Sequence, residues 1–227
     1  MNRIEARDIS KSYVRRGTKL LVLDQINFLA KSGEFVAIEG ESGCGKTTFL
    51  SILAGILPAD EGSVRYFDSR NELELSKLKP TEKSVLRRRD IVLLPQLQSV
   101  IAELTVAENI LLPAMFSGQK REQVDKHLDF LINRLGLKDL ADCYPDEISG
   151  GELRRLAVAR ACILQPKIIL ADEPTNDLDR ENRLVIYDFF REMADAGAIV
   201  IVATHDKELA ESADRRININ TKTGGII

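Results

Sequence analysis

The chain has 227 residues, long enough to bury a substantial core as one α/β domain with a subdomain. Its 32 basic and 35 acidic residues leave a net charge of −3, so no global field draws nucleic acid and no nucleic-acid partner is expected. The longest uninterrupted apolar run, Ala198 to Ala203, falls well short of the roughly 18 residues that suggest a membrane span. Met1-Asn2-Arg3-Ile4-Glu5 carries neither the apolar stretch nor the cleavage site of a secretory signal, which points to the cytoplasm. Cys44, Cys143 and Cys162 are scattered and lack C-x-x-C spacing, the pattern of reduced thiols rather than a metal site or a disulfide framework.

Along the chain, β-rich runs come first, from Ile4 to Ser10 and from Leu20 to Ala30. Phe35-Val36-Ala37-Ile38 then leads into Gly40-Glu41-Ser42-Gly43-Cys44-Gly45-Lys46-Thr47-Thr48, which fits the G-x-x-x-x-G-K-[ST] template. In that template glycines let backbone N–H groups turn inward around phosphates, and a lysine neutralises the β/γ charge. A helix is predicted from Thr47 to Ala54, with Gly55 near its end and Pro58 just beyond; its N-terminal dipole points at the phosphates. Cys44 has two readings: a passive small filler, or a thiol activated by nearby Lys46.

Residues 68–90 carry many charges and few large apolar side chains, which suggests an exposed helical or loop excursion before Ile91-Val92-Leu93-Leu94. From about residue 97 to 165 a helical pattern dominates, with Val124, Leu128, Leu131, Ile132 and Leu135 on one stripe. Apolar strands return at Ile168 to Ala171 and Ile199 to Ala203, separated by a helix from about Glu181 to Ala196. That alternation is the mark of a largely parallel sheet.

The residue types fix the chemistry. Lys46 suits contact with β- and γ-phosphate oxygens, and the Thr47 hydroxyl suits magnesium. Asp172, at the carboxyl end of a buried strand, can hold the magnesium shell, and Glu173 is placed to orient or deprotonate an attacking water; the plainer reading of the pair is a solvated strand end. Ser149-Gly150-Gly151-Glu152 opens a helix, so Ser149 caps it, and the two glycines also bare N–H groups to an anion. Arg154, Arg155 and Arg160 add positive charge to that surface.

Taken together, these residues resemble the nucleotide-binding subunit of an ATP-binding cassette (ABC) transporter over nearly the whole chain. Ser149-Gly150-Gly151-Glu152 is similar to the family signature, Asp172-Glu173 to its second nucleotide motif, and Asn176-Asp177-Leu178-Asp179 to its D-loop. Gln96 resembles the Q-loop glutamine, His205 the switch histidine, and Tyr13 the aromatic residue that stacks on adenine. The resemblance implies a P-loop NTPase fold: a mostly parallel core sheet, an N-terminal antiparallel β portion and an inserted helical subdomain. It implies one domain over 1–227, with a core at approximately 1–96 and 165–227 and the helical subdomain at approximately 97–164.

Functionally, the resemblance implies that ATP is bound by Tyr13 and the loop from Gly40 to Thr48, with magnesium on Thr47, Gln96 and Asp172 and catalysis by Glu173, His205 and Gln96. Two copies would bind two ATP head to tail, each phosphate loop facing the other's signature, beside a separate integral membrane subunit on the cytoplasmic face. Leu104-Thr105-Val106-Ala107-Glu108-Asn109-Ile110-Leu111-Leu112-Pro113 and Ala171-Asp172-Glu173-Pro174-Thr175 are similar to the subfamily of lipoprotein release, macrolide or antimicrobial-peptide export, and the division-associated ATPase. Three positions depart from it: Glu152 replaces a glutamine, Pro95 stands where an aromatic is usual, and Asn176-Asp177 where Gly-Asn is usual. Glu152 is expected to face a ribose hydroxyl or the helix start.

The implied function is an ATPase that drives export or extraction through the membrane subunit. Regulation of a non-transporting membrane partner uses the same residues, and a soluble cassette of translation or DNA repair is a further alternative. The partner is expected to dock near Gln96 and the segment after it, including Leu97, Val100 and Ile101. His127 reads as a surface side chain in a polar helix. Arg87-Arg88-Arg89 reads as a solvated face or a lipid-headgroup contact, and Tyr13 as an adenine stack or a plug at the sheet edge.

Overall fold

In a computed structural model, which describes residues 1–68, 71–96, 100–220 and 225–226, the N-terminal third is mainly β. β1 (Arg3–Arg15) and β2 (Thr18–Lys31) form a long antiparallel hairpin. Arg16 and Gly17, its two turn residues, both have positive φ (52° and 79°), the turn geometry whose twist matches the flanking strands. Alternation along β1 buries Ile4 and Ala6, and bulges at Asp8 and Gln25 shift the register on either side of Ile9.

β3 (Phe35–Glu39) follows, then α1 (Lys46–Leu53), β4 (Glu61–Phe67) and β5 (Glu72–Glu74). β5 joins β4 to complete an antiparallel sheet in the order β2-β1-β4-β5. Part of the charged excursion over 68–90 is thus a sheet edge; Glu72-Leu73-Glu74 is too short and polar to register as a strand by pattern. The rest is α2 (Pro80–Arg89), which buries only Leu86.

The second sheet combines β3 with β6 (Ile91–Leu94), β7 (Ile168–Asp172), β8 (Ile199–Ala203), β9 (Arg215–Asn220) and β10 (Gly225–Ile226). Its order is β10-β9-β3-β8-β7-β6, parallel throughout except for β10. Strands β7 and β8 are buried at every residue, so they read as continuous apolar runs because both faces are covered. Ile168 and Leu170 face the core shared with α1 and the antiparallel sheet, while Ile169 and Ala171 face the helices of the other side.

Those helices are α3 (Val106–Met115), α4 (Arg121–Arg134) and α5 (Gly150–Cys162), all between β6 and β7, then α6 (Arg180–Asp195) and α7 (Lys207–Ser212). The predicted α4 stripe is core: Val124, Leu131, Ile132 and Leu135 are buried and Leu128 packs against them. His127 departs from its surface reading. It is half-buried, its Nε2 lies 3.1 Å from the Cys162 carbonyl, it stacks on Phe130, and burial lowers its pKa. Polar neighbours in sequence hid its position beside the apolar stripe.

The loop between β6 and α3 is held by one buried amide. Asn109 donates from Nδ2 to the carbonyls of Ile101, Leu104 and Thr105, and its Oδ1 accepts from Ile101 N–H at 2.9 Å. Both of its N–H donors and its carbonyl oxygen are engaged, which offsets the cost of its burial and fixes Ile101 against α3. Of the expected docking positions, Leu97 lies outside the described residues.

Candidate nucleotide site

The phosphate loop bridges the end of β3 and the start of α1. Gly45 has φ 107°, and a Cβ there would come within 2.9 Å of Leu23 and Val22, so only glycine lets α1 start this close to the hairpin. A Cβ on Gly40 would lie 2.6 Å from Cys44 Sγ and 2.7 Å from the Ile219 carbonyl. Cys44 is buried in the core beneath the loop, which places it as the packing residue of the two readings.

Above the loop lies a cavity of about 560 Å³. Ser42, Gly43 and the run Gly45 to Thr48 form its floor, with Tyr13 and Val22 at one side and Gln96, Asp172, Glu173 and His205 at the other. Residues distant in sequence thus meet around one volume at the carboxyl ends of β3 and β7, where parallel sheets gather ligand chemistry.

Lys46 is buried, and its Nζ donates to the carbonyls of Gly40 (2.7 Å) and Glu41 (3.3 Å), with Glu173 Oε1 at 3.8 Å. The ammonium is therefore held inside the loop, at the edge of the cavity. Thr47 Oγ1 donates to Asp172 Oδ2 at 2.6 Å. Asp172 is 4% exposed, and burial, with the neighbouring Glu173 charge, raises its pKa despite the Thr47 bond. A cation would relieve that penalty, and the donors beside it, a hydroxyl, a carboxylate and the Gln96 amide, are the hard oxygens magnesium prefers.

Glu173 has φ 48°, a left-handed backbone that turns its carboxylate from β7 toward the next strand. Its Oε2 lies 2.9 Å from His205 Nδ1 and accepts from His205 N–H at 3.2 Å. Its own N–H donates to the Ala203 carbonyl, which locks the two strand ends together. Tyr13 is 41% exposed and lines the cavity, with its hydroxyl 3.4 Å from Thr48 Oγ1.

The run expected to be the signature stands apart from this cavity: none of Ser149, Gly150, Gly151 and Glu152 lines it. Ser149 and Gly150 are exposed. Ser149 caps α5, accepting from Glu152 N–H, while Glu152 Oε2 accepts from Ser149 N–H (2.7 Å) and Oγ–H (2.8 Å). Of its two expected orientations Glu152 takes the helix start, and the Ser149 bonds hold its pKa low. Two of the three arginines of α5 are engaged within the chain. Arg154 is buried and donates to the Gln96 carbonyl at 2.9 Å, while Arg155 bonds Asn182 of α6 and lies 3.9 Å from Glu152.

The Asn176-to-Asp179 turn runs from the cavity to α6. Asn176 lines the cavity, Asp177 and Leu178 line an adjoining one, and Asp179 caps α6 by accepting from Asn182 N–H at 2.8 Å. Sequence reasoning passed over Asp206, which caps α7 and accepts from the Tyr187 hydroxyl and from Arg183 at 3.2 Å, anchoring the His205 loop to α6. The available signal was a Thr-His-Asp run just before a helix.

The family model described as ABC transporter matches residues 23–176, more than half of the chain. The chain belongs to the ABC transporter family. Among curated relatives it is 37% identical over 217 residues to the lipoprotein-releasing system ATP-binding protein LolD of Porphyromonas gingivalis, covering 95% of both chains. It is 37% identical over 217 residues to the putative hemin import ATP-binding protein HrtA of Staphylococcus haemolyticus, covering 95% of this chain and 96% of that one. Among solved structures it resembles the dimeric ATP-binding cassette MJ0796, in a post-hydrolysis state bound to ADP and Pi. The TM-score is 0.86 and the identity 30%, over 98% of this chain and 96% of that one. As a member of this family the ABC chain is an ATP hydrolase, the ATP-binding part of a transporter.

Proposed function

We propose that two copies of the chain close head to tail around two ATP molecules and drive a separate membrane subunit, on whose cytoplasmic face the ATPase sits, in export or in extraction of a lipoprotein- or peptide-type cargo. The observation that carries this reading is the incompleteness of the cavity: Lys46, Thr47, Asp172, Glu173 and His205 meet there, but the signature lies off it and faces outward. A second copy supplies the missing wall, and the relative MJ0796 is described as a dimer. The subfamily motifs and the lipoprotein-releasing relatives favour export or extraction, whereas one relative is named for hemin import.

In this reading Lys46 exchanges its loop carbonyls for β- and γ-phosphate oxygens, and Tyr13 stacks on the adenine. Thr47, Asp172 and Gln96 would hold magnesium, which would supply charge neutralisation to the phosphates. Glu173 accepts the proton of a water whose oxygen attacks the γ-phosphorus, as the bond to the β–γ bridging oxygen breaks. His205 orients Glu173 and the γ-phosphate. Ser149 of the partner copy turns from Glu152 to the phosphate.

Purification from detergent-solubilised membranes tests the coupling. A membrane subunit should co-purify with the chain and raise its low basal ATPase. Recovery of the chain alone, or of a ribosome or DNA complex, would contradict it.

A further inference from the structure

Tyr13 sits on a part of β1 that its sheet holds on one side only. Pairing of β1 with β4 ends at Ser10 opposite Glu61, and the register with β2 shifts at Lys11 and again at Ser12. Among the described residues, the end of β1 beyond Ser10 therefore has β2 as its one strand partner. A strand interrupted by a bulge bends there, and the ring it carries swings with it unless something else fixes the backbone.

Asp60, the residue just before β4, takes over where the ladder stops. Its N–H donates to the Ser10 carbonyl at 2.9 Å, as a further rung would. Its carboxylate reaches past that rung: Oδ2 accepts from Ser12 N–H at 2.8 Å and Oδ1 from Lys11 Nζ at 2.6 Å. The Lys11 bond first and the Ser12 bond second hold the Asp60 carboxyl below its ordinary pKa, so it is charged at neutral pH. Lys11 in turn places its ammonium 5.9 Å from the centre of the Tyr13 ring, within cation–π range. An exposed ion pair by itself contributes little. Here, however, one carboxylate fixes both the backbone next to Tyr13 and the cation that faces its ring.

The loop that carries Asp60 is tied to the helix of the phosphate loop. Ile56 N–H and Leu57 N–H both donate to the Ser51 carbonyl of α1, and Leu57 and Ala59 pack against the core. At the other end of α1, Thr48 Oγ1 lies 3.4 Å from the Tyr13 hydroxyl. One helix thus carries Lys46 and Thr47 in its first turn, meets the Tyr13 hydroxyl through Thr48, and holds the backbone beside Tyr13 through Asp60. The spacing between the phosphate loop and the ring is set before any nucleotide arrives, and a site ordered beforehand loses less freedom on binding.

We infer that Asp60 and Lys11 are positioning residues for the nucleotide base: their pair holds Tyr13 at the distance from the phosphate loop that a base stack requires. The inference rests on the reading of Tyr13 as the adenine stack and adds the residues that set its place. Neither Asp60 nor Lys11 lines the cavity, so they act through Tyr13, and the effect falls on nucleotide affinity rather than on the chemical step.

Binding of ATP and of inorganic tripolyphosphate, which has the phosphates and no base, to the full chain separates this role from a structural one. Asp60→Ala should weaken ATP binding and raise KM about 3- to 10-fold, with kcat and tripolyphosphate affinity unchanged within about twofold. Lys11→Met, which keeps the Ser12 bond, should show a smaller change in the same direction. In a Tyr13→Ala background Asp60→Ala should add nothing, because the ring it places is gone. Unchanged ATP affinity in Asp60→Ala, an equal fall for tripolyphosphate, or full additivity with Tyr13→Ala would overturn the inference and leave the adenine assignment standing. Wild-type ATP affinity in Tyr13→Ala would remove the adenine assignment and the inference with it.

Discussion

Glu173 and His205 are joined twice, through His205 Nδ1 at 2.9 Å and His205 N–H at 3.2 Å from the same carboxylate oxygen. The second contact is to backbone, so Glu173 keeps its place even when the imidazole changes, and the two residues have separable roles. Glu173→Gln should cut turnover on the order of 10²-fold or more with ATP binding retained, because the amide preserves the shape but accepts no proton. His205→Ala should also lower turnover while leaving ATP affinity within a few-fold. Single-turnover hydrolysis beside a fluorescent-nucleotide titration checks both, and undiminished hydrolysis by Glu173→Gln would remove it as the base.

Lys46→Ala acts earlier in the cycle. The ammonium lies 2.7 Å from the Gly40 carbonyl, already inside the loop that would wrap the phosphates. Losing charge-assisted hydrogen bonds worth about 2–3 kcal/mol should weaken ATP binding by tens- to about a hundredfold, with turnover falling in parallel. Wild-type affinity in a direct titration would argue against the loop assignment.

Asp172 carries a stability cost that the nucleotide-free chain can reveal. Its folded pKa is raised by burial, so its contribution is favourable while it is protonated and is lost as pH rises from the unfolded carboxyl value through the folded one. Asp172→Asn removes that loss and keeps an acceptor for Thr47. It should therefore be more stable than wild type near neutral pH, read as a higher Tm. The gap should shrink at acid pH, and magnesium-dependent turnover should disappear. A gap that is absent at neutral pH, or that widens on acidification, would contradict this account of Asp172.

What was legible in the sequence was local or strongly periodic. The phosphate loop, the apolar β7 and β8 runs and the α4 stripe occupy the elements their patterns indicate, because each is determined by neighbours within a few residues or by burial on both faces. Pairings across the chain were not legible. Nothing in the spacing says that Arg154 reaches the Gln96 carbonyl, 58 residues away, or that the Tyr187 hydroxyl meets Asp206. β5 exists because β4 offers an open edge, not because Glu72-Leu73-Glu74 favours a strand. His127 and Asn109 are polar residues whose burial depends on carbonyl partners supplied by Cys162 and by the loop from Ile101 to Thr105.

The central claim is that one chain holds an incomplete site that a second copy closes, and the mass of Glu173→Gln in solution tests it most directly. With ATP and magnesium, light scattering should show the 25.4 kDa chain doubling in mass, and removal of nucleotide should return it to a monomer. Adding Ser149→Arg should keep the protein monomeric although it still binds ATP, because the new side chain projects from the exposed signature into the partner's nucleotide. A Glu173→Gln chain that stays monomeric at saturating ATP, or a double variant that dimerises as readily, would contradict the paired site.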